Sequence, residues 1–201
     1  EEIQVRQRFM SLFADTQTRI GEGWSEKGGF EGFAAHTQEI CAQWEHVSLH
    51  AETWRGCRPT SCVTAHAFLR AVGLCLGIDG SGAQDQAAQP AALLDRLVAQ
   101  TRAAFFEQGQ DISDLAILLE MLDGTGISRA AVVSRFESGE AYAALHRDQE
   151  LMKSYGVQGS PTYVFNEGRQ LLYGNVGYRI IESNVRELLS TRQIDAAPSW
   201  C

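Results

Sequence analysis

The hydrophobic pattern near the end of the chain predicts a β-hairpin followed by a helix. Residues 163–165 form an aromatic and β-branched run, residues 166–168 form an Asn-Glu-Gly turn cluster, and residues 171–173 form a second apolar run. Apolar side chains then recur at helical spacing between polar ones, at Ile180, Ile181, Val185, Leu188 and Leu189. One face of this helix is therefore expected to pack on the sheet of the hairpin.

The pattern at the start of the chain predicts a strand, a helix and a second strand. Residues 3–13 begin with alternating apolar and polar positions and become more apolar, as in a half-buried strand. Asp15 stands where a helix N-cap is expected, and Gly28-Gly29 interrupts that helix before apolar positions resume over residues 30–41. Residues 47–50 predict the second strand, so the three elements form a βαβ unit with a right-handed crossover.

The middle of the chain has a helical pattern throughout. A polar linker opens at Gly80-Ser81-Gly82 and runs to Gln89, and the stretch 111–113 is expected to cap the third helix of this part. The connections are short, as in a helical bundle. The predicted helices cover residues 63–76, 91–107, 115–122, 128–136 and 140–155.

Composition and charge narrow the choice of partners. The chain has 201 residues, of which 44% are hydrophobic and 21% charged, so we expect one globular domain that carries an inserted subdomain. A formal net charge of −8 without a Lys/Arg cluster argues against nucleic acid and anionic membrane surfaces as partners. No stretch has the apolar length of a membrane span, and the odd count of five cysteines suits a reducing compartment. We therefore expect a cytoplasmic protein.

The motif Gly159-Ser160-Pro161-Thr162 carries a more specific signal. A proline at this point must begin a strand or lie in a bend, because it cannot donate to a central ladder. Together with the hairpin and helix that follow, the motif resembles the C-terminal half of the DsbA-like branch of the thioredoxin superfamily. The resemblance implies a cis Pro161 whose neighbours Ser160 and Thr162 take the backbone of a bound peptide or of glutathione.

The same resemblance implies an α/β thioredoxin fold with an all-helical insertion between the second strand and the cis-Pro hairpin. The thioredoxin-fold domain would be discontinuous, covering residues 1–58 and 157–195, and the inserted helical subdomain would cover residues 59–156. These boundaries follow from the family's order of elements.

The most informative departure from the family lies in the turn after the first predicted strand. DsbA-like proteins carry Cys-x-x-Cys there, where the helix N-terminus lowers a thiol pKa. In this chain Asp15-Thr16-Gln17-Thr18 occupies the turn, or the stretch 14–17 in a register slipped by one residue, and neither contains a thiol. Dithiol-disulfide exchange needs an attacking thiolate and a resolving thiol. The family's oxidoreductase label therefore does not bring its ordinary mechanism with it.

The leading hypothesis is a degenerate member that binds a peptide or glutathione-like ligand in a groove beside Pro161. Asp15, Thr16 and Thr18 would line this groove together with Ser160 and Thr162 of the Pro161 motif. A simpler interpretation is that Asp15 only caps the helix and that the threonines are solvated first-turn residues.

Two enzymatic alternatives stay open. Kappa-class glutathione transferases and 2-hydroxychromene-2-carboxylate isomerases have the same fold with a serine in place of the first cysteine. By that resemblance, Thr18 or Thr16 would donate a hydrogen bond to the thiolate of glutathione as co-substrate, although an Asp15 carboxylate would repel this anion. In the second alternative, Cys57 and Cys62 act as a relocated redox pair.

The remaining chemistry-bearing residues predict little. Most intracellular cysteines are unpaired and behave as small hydrophobic side chains, and this is the simpler interpretation of Cys57 and Cys62. Cys62 and His66 lie four residues apart on one helix face, but the tight Cys-x2-Cys spacing of strong zinc motifs is missing, so no metal is expected. Other than glutathione no cofactor is expected, and the partners are expected to be a peptide or small thiol ligand, with a homo-oligomer possible.

Overall fold

The computed structural model of the protein describes residue 3, residues 5–78 and residues 88–191. The chain divides into two compact units, Glu1–Gln149 and Glu150–Cys201. Most of the linker predicted at residues 80–89 lies outside the described residues, and residues 88 and 89 already belong to a helix. The domain boundaries predicted from the sequence stay a prediction.

Helices build the first unit. Two short turns, a π-helix at Gln17–Glu22 and a 3₁₀ helix at Ser25–Lys27, precede the longer helices. The α-helices are α1 (Gly29–Cys41), α2 (Val63–Cys75), α3 (Ala88–Phe106), α4 (Leu115–Glu120), α5 (Arg129–Glu137) and α6 (Glu140–Ser154). The five helices predicted in the middle of the chain are thus confirmed, with boundaries that differ by at most three residues.

The predicted cap of α4 needs a correction. Asp114, and not the stretch 111–113, is the N-cap, and its carboxylate accepts a 2.8 Å hydrogen bond from the amide of Ala116. The Asp111 carboxylate instead accepts the amide and hydroxyl of Ser113, which closes the preceding turn. Both carboxylates satisfy local donors, and only the geometry distinguishes the capping residue.

The main core surrounds α2. This helix buries Ala65, Phe68 and Val72 and contacts α3, α4 and α5, so apolar residues occupy most of its circumference.

A second, smaller core is rich in aromatic side chains. Its buried members are Ile20, Ala34, Trp54 and Phe105, with Phe13, Phe30 and Phe33 packed against them.

Neither strand predicted in the first unit is formed. Residues 5–11 and 47–50 are described, and no strand is assigned to them. The expected half-buried face is also not observed: Val5 is exposed, and among residues 5–13 only Phe9 is buried, where it stacks on His66 of α2. The helix predicted after Asp15 is only the six-residue π-helix, and α1 begins after Gly28, whose φ of 93° suits glycine.

The second unit contains the predicted hairpin and helix. Strands β1 (Thr162–Phe165) and β2 (Gln170–Tyr173) pair antiparallel, joined by a 3₁₀ turn at Asn166–Gly168. The predicted final helix is α7 (Tyr178–Thr191), which contacts β1. None of the described helices is both long enough and apolar enough to cross a membrane.

Candidate functional site

The predicted site residues fall into two sets, one in each unit. Asp15, Thr16 and Thr18 belong to the first unit, and the Pro161 motif belongs to the second. Each set has its own geometry.

Thr16 is a buried structural residue, with 3% of its surface exposed. Its hydroxyl donates to the carbonyl oxygens of Pro59, at 2.7 Å, and of Thr60, at 3.1 Å. Its amide also donates to the carbonyl of Thr60 at 3.1 Å. The hydroxyl proton therefore already has protein acceptors, so it is a poor donor for a ligand thiolate.

Asp15 and Thr18 form a local cap. One carboxylate oxygen of Asp15 accepts the Thr18 amide at 3.1 Å, and the other accepts the Thr18 hydroxyl at 2.8 Å. The amide and then the hydroxyl of Thr18 hold the pKa of Asp15 below its usual value. Because this exposed carboxylate is charged at neutral pH, a second anion beside it would be repelled.

The segment around Asp15 is held against the loop that enters α2. The amide of Thr16 bonds the carbonyl of Thr60, and the amide of Cys62 donates to the carbonyl of Phe13 at 2.9 Å. This pairing brings the start of α2 close to the segment 13–16. The sequence placed Cys62 only at a helix start, because the pairing joins segments more than forty residues apart.

Cys57 and Cys62 are both free thiols. Burial raises the pKa of Cys57, and the nearby Asp111 carboxylate raises it further. Burial also raises the pKa of Cys62, although backbone amides partly offset this effect. A thiolate is the attacking species in disulfide exchange, so these environments favour the unreactive form.

Trp54 closes the aromatic core beside this segment. Its ring contacts those of Phe105, Phe13 and Phe33, with centroids 4.8, 5.5 and 5.6 Å away, and only 6% of the residue is exposed. Its φ of 66° lies in the left-handed region, which is unusual for a bulky side chain. Trp54 is therefore a packing residue held in a strained loop, and not an open ligand platform.

Arg55 and Arg58 lie on the outside of the aromatic core. Both pair with Glu31, at 3.5 and 3.0 Å, and Arg58 also stacks over the ring of Phe30 at 4.8 Å. The sequence did not predict the contacts of Arg58 with Glu31 and Phe30, because both partners lie on α1 and no local spacing connects them to Arg58.

In the second unit, the Pro161 motif begins β1. The peptide bond between Ser160 and Pro161 is cis, and both residues are exposed. The carbonyl of Pro161 accepts the amide of Gly174 at 2.9 Å, and the hydroxyl of Thr162 donates to the carbonyl of Gly159 at 2.6 Å. The motif is thus fixed from its β2 side, and its proline sits at a strand start as expected.

The strand register shows which backbone groups of β1 are directed away from β2. The bond from Gly174 to Pro161 makes them a hydrogen-bonded pair, and such pairs alternate along an antiparallel ladder. Tyr163 and Phe165 therefore use their backbone groups toward β2. The N–H and C=O groups of Thr162 and Val164 lie on the opposite edge, called the open edge below, where no further strand is assigned among the described residues. Val164 was missed by the sequence analysis because its role depends on this register.

Comparison with known protein families shows which family the chain belongs to. The model of the DSBA-like thioredoxin domain matches residues 83–186, which is just over half of the 201 residues. The chain belongs to the DsbA-like thioredoxin-domain family. The matched residues include the hairpin, and they leave out Asp15, Thr16, Thr18, Cys57 and Cys62. A comparison with curated proteins finds no match.

Family membership confirms the predicted fold class. A helix-rich chain with a small two-stranded antiparallel sheet agrees with a DsbA-like α/β thioredoxin fold that carries a helical insertion. The family is of the thioredoxin-fold oxidoreductase type, and the 201 residues contain no Cys-x-x-Cys. The fold of this DsbA-like chain therefore does not determine its chemistry.

Proposed function

We propose that this DsbA-like chain binds an extended peptide, or a glutathione-like ligand with peptide character, along the open edge of β1 beside Pro161. Dithiol exchange is not part of the proposed function. The observation that carries the proposal is the outward direction of the backbone groups of Thr162 and Val164. Such an edge can accept one more strand, with affinity from main-chain hydrogen bonds and selectivity from side chains that alternate across the sheet.

The side chains around this edge support recognition of a peptide. Tyr163 and Phe165 stack with their centroids 6.5 Å apart, and Tyr163 and Tyr173 are exposed. Tyrosine combines apolar area with a polar tip at little cost in side-chain entropy, which makes it a frequent residue of binding surfaces. The partner is therefore proposed to be a peptide segment, in a reducing cytoplasmic environment and without nucleic acid or membrane.

The decisive experiment compares two substitutions at one position. Val164→Pro removes an amide directed away from β2, and edge strands tolerate proline at such positions. Val164→Ala keeps the amide and removes most of the side chain. In a peptide-array screen followed by calorimetry, we expect the alanine variant to retain the peptides that wild type selects, and the proline variant to lose at least about tenfold in affinity.

Hairpin integrity is checked first by the amide chemical shifts of Tyr163 and Phe165 in both variants. If an intact Val164→Pro hairpin bound the selected peptides as tightly as wild type, the open edge would not be the binding site. If wild type selected no peptide or glutathione-like ligand at all, the proposed function would be wrong.

An insulin-reduction assay separates this proposal from the redox alternative. We expect no reduction of insulin disulfides by wild type, because Cys57 and Cys62 have raised pKa values. Robust reduction that persisted in a Cys57→Ser, Cys62→Ser double variant would contradict the proposal.

The glutathione-transferase alternative is weakened by the hydrogen bonds of both threonines. Thr16 donates to backbone carbonyls, and Thr18 donates to a charged Asp15. Retention on immobilised glutathione that is lost in Thr18→Val or Thr16→Val would nevertheless favour the transferase. Retention that both variants keep would place glutathione elsewhere.

A further inference from the structure

Residues 7–11, called the N-terminal strap below, cross three helices of the first unit. Gln7 donates to Asp95 of α3 at 2.8 Å, and Ser11 accepts from Gln149 of α6 at 3.1 Å. Between them, Phe9 stacks on His66 of α2 with ring centroids 5.5 Å apart. The strap is thus held by side chains spread over three elements, and no strand is assigned to it.

Asp148 of α6 is the centre of this attachment. Its side chain is fully buried, and its two oxygens accept from Arg8, at 3.1 Å, and from the amide of Phe9, at 3.2 Å. Arg70 of α2, with 2% of its side chain exposed, lies 3.5 Å from the same carboxylate. One buried anion therefore binds both the side chain and the backbone of the strap.

The position of the strap determines where the segment 13–16 stands. The four residue steps from Phe9 to Phe13 can span at most about 14 Å, so the strap and the segment 13–16 cannot move far apart. Four residues beyond Phe9, the carbonyl of Phe13 accepts the amide of Cys62, and Thr16 is bonded to Thr60. The chain turns between the two attachments, with residues 12–13 in a turn and residues 14–15 in a bend, so release of the strap at Asp148 would free one end of this short connection and weaken these bonds.

We propose that Asp148 is a positioning residue. By holding Arg8 and the amide of Phe9, it fixes the position of the N-terminal strap and so keeps the segment 13–16 bonded to the entrance of α2. This inference is independent of peptide binding at β1, since all of its contacts lie in the first unit.

The two cysteines at the ends of α2 provide the readout. Cys62 is the N-cap, with its amide bonded to Phe13, and Cys75 is the last residue of the helix and packs against the main core. Release of the strap should expose Cys62 alone, whereas general unfolding exposes both. Alkylation rates of the two thiols, mapped by mass spectrometry, therefore distinguish local repositioning from lost stability.

The first variant is Arg8→Met, which removes the side-chain attachment and leaves Asp148 beside Arg70. We expect alkylation of Cys62 to accelerate about tenfold while that of Cys75 stays within about twofold of wild type. The matched control is Arg129→Met, which removes an exposed ion pair with Asp123 at 2.7 Å and should change neither rate. Equal acceleration of both thiols, or no acceleration of Cys62, would overturn the proposal.

Asp148→Asn is the second variant. It keeps an oxygen for the amide of Phe9 but removes the negative charge that lies 3.5 Å from the buried Arg70, so this variant can fail to fold. If it folds, the same selective acceleration of Cys62 is expected, and a rate equal to wild type would contradict the assignment. If it does not fold, a double-mutant cycle between Arg8→Met and Thr16→Val decides the question, because a positioning role requires their effects on unfolding to be non-additive.

Discussion

Two threonines that look equivalent in the sequence occupy opposite environments. The hydroxyl of Thr16 is buried and bonded to the carbonyls of Pro59 and Thr60, whereas that of Thr18 is exposed and bonded to Asp15. We expect Thr16→Val to lower the free energy of unfolding by about 1–2 kcal/mol, because a buried carbonyl loses its donor. Thr18→Val should change it by less than about 0.5 kcal/mol. Urea denaturation measures both, and equal losses would contradict the assigned burial.

His66 gives the stability of the protein a pH dependence of known sign. Burial, and then the charge of Arg102, lower the pKa of His66 from 6.5 to about 4. The folded protein keeps this imidazole neutral, so stability falls as the pH drops below about 6.5, and the loss is complete near pH 4. Over this pH range the free energy of unfolding is expected to fall by about 3 kcal/mol.

The measurement compares wild type with His66→Leu by urea unfolding across pH 7 to 4.5. The difference between their free energies of unfolding should shift in favour of the variant as the pH falls. Carboxylates titrate in both proteins and cancel in this difference. Parallel curves would show that the surroundings of His66 do not lower its pKa.

At the scale of elements, local patterns predicted helices well and strands poorly. The apolar spacing of α2 to α6 lies within each helix, so the sequence contains it, although the choice of cap at α4 needed the structure. A strand needs a partner strand for its backbone, and the local pattern of residues 5–11 does not say whether one is present. Phe9 packs on α2 and donates its amide to Asp148 of α6, whereas Val5, another apolar position of the alternation, is exposed. The hairpin was predicted because its turn and both strands are contiguous.

The candidate site shows the same division. Asp15 was expected as the N-cap; its carboxylate does accept the amide of Thr18, but the N-cap position of the π-helix is Thr16. The burial of Thr16 was not visible, since its acceptors lie 43 and 44 residues away. The pairing of Cys62 with Phe13 was missed for the same reason. Contacts between residues that are close in the chain can be inferred from the sequence. Contacts between residues more than forty positions apart cannot.

The turn of the hairpin allows a prediction about backbone strain. Glu167 has a φ of 56°, in the left-handed region that favours glycine. Glu167→Gly should therefore raise the free energy of unfolding of the hairpin by about 0.5–1 kcal/mol. The control is Ser183→Gly on the exposed face of α7, which should lower helix stability by a few tenths to about 1 kcal/mol. Hydrogen exchange of β1 and α7 amides measures the two effects, and a destabilised hairpin in Glu167→Gly would contradict the turn.

At the scale of the whole molecule, stability and recognition are expected to depend on different residues. The buried apolar side chains of both cores lie between Phe9 and Leu145, within the first unit. Large apolar side chains of the second unit, such as Tyr173 and Tyr178, are exposed. Substitutions in the first unit should mainly change the free energy of unfolding, and substitutions on the hairpin should mainly change ligand affinity.

The thiols of the chain are expected to stay free under mild oxidation. Titration of the native protein before and after mild oxidation should return the same thiol count, and mass mapping should find no link between Cys57 and Cys62. The reason is that burial raises both pKa values and so keeps the thiolate population small. Both thiols should also react more slowly in the native protein than after unfolding in guanidinium. A reversible loss of two thiols, mapped to this pair, would instead make the chain a DsbA-like redox protein with a relocated dithiol, and its reduction potential would then define its function.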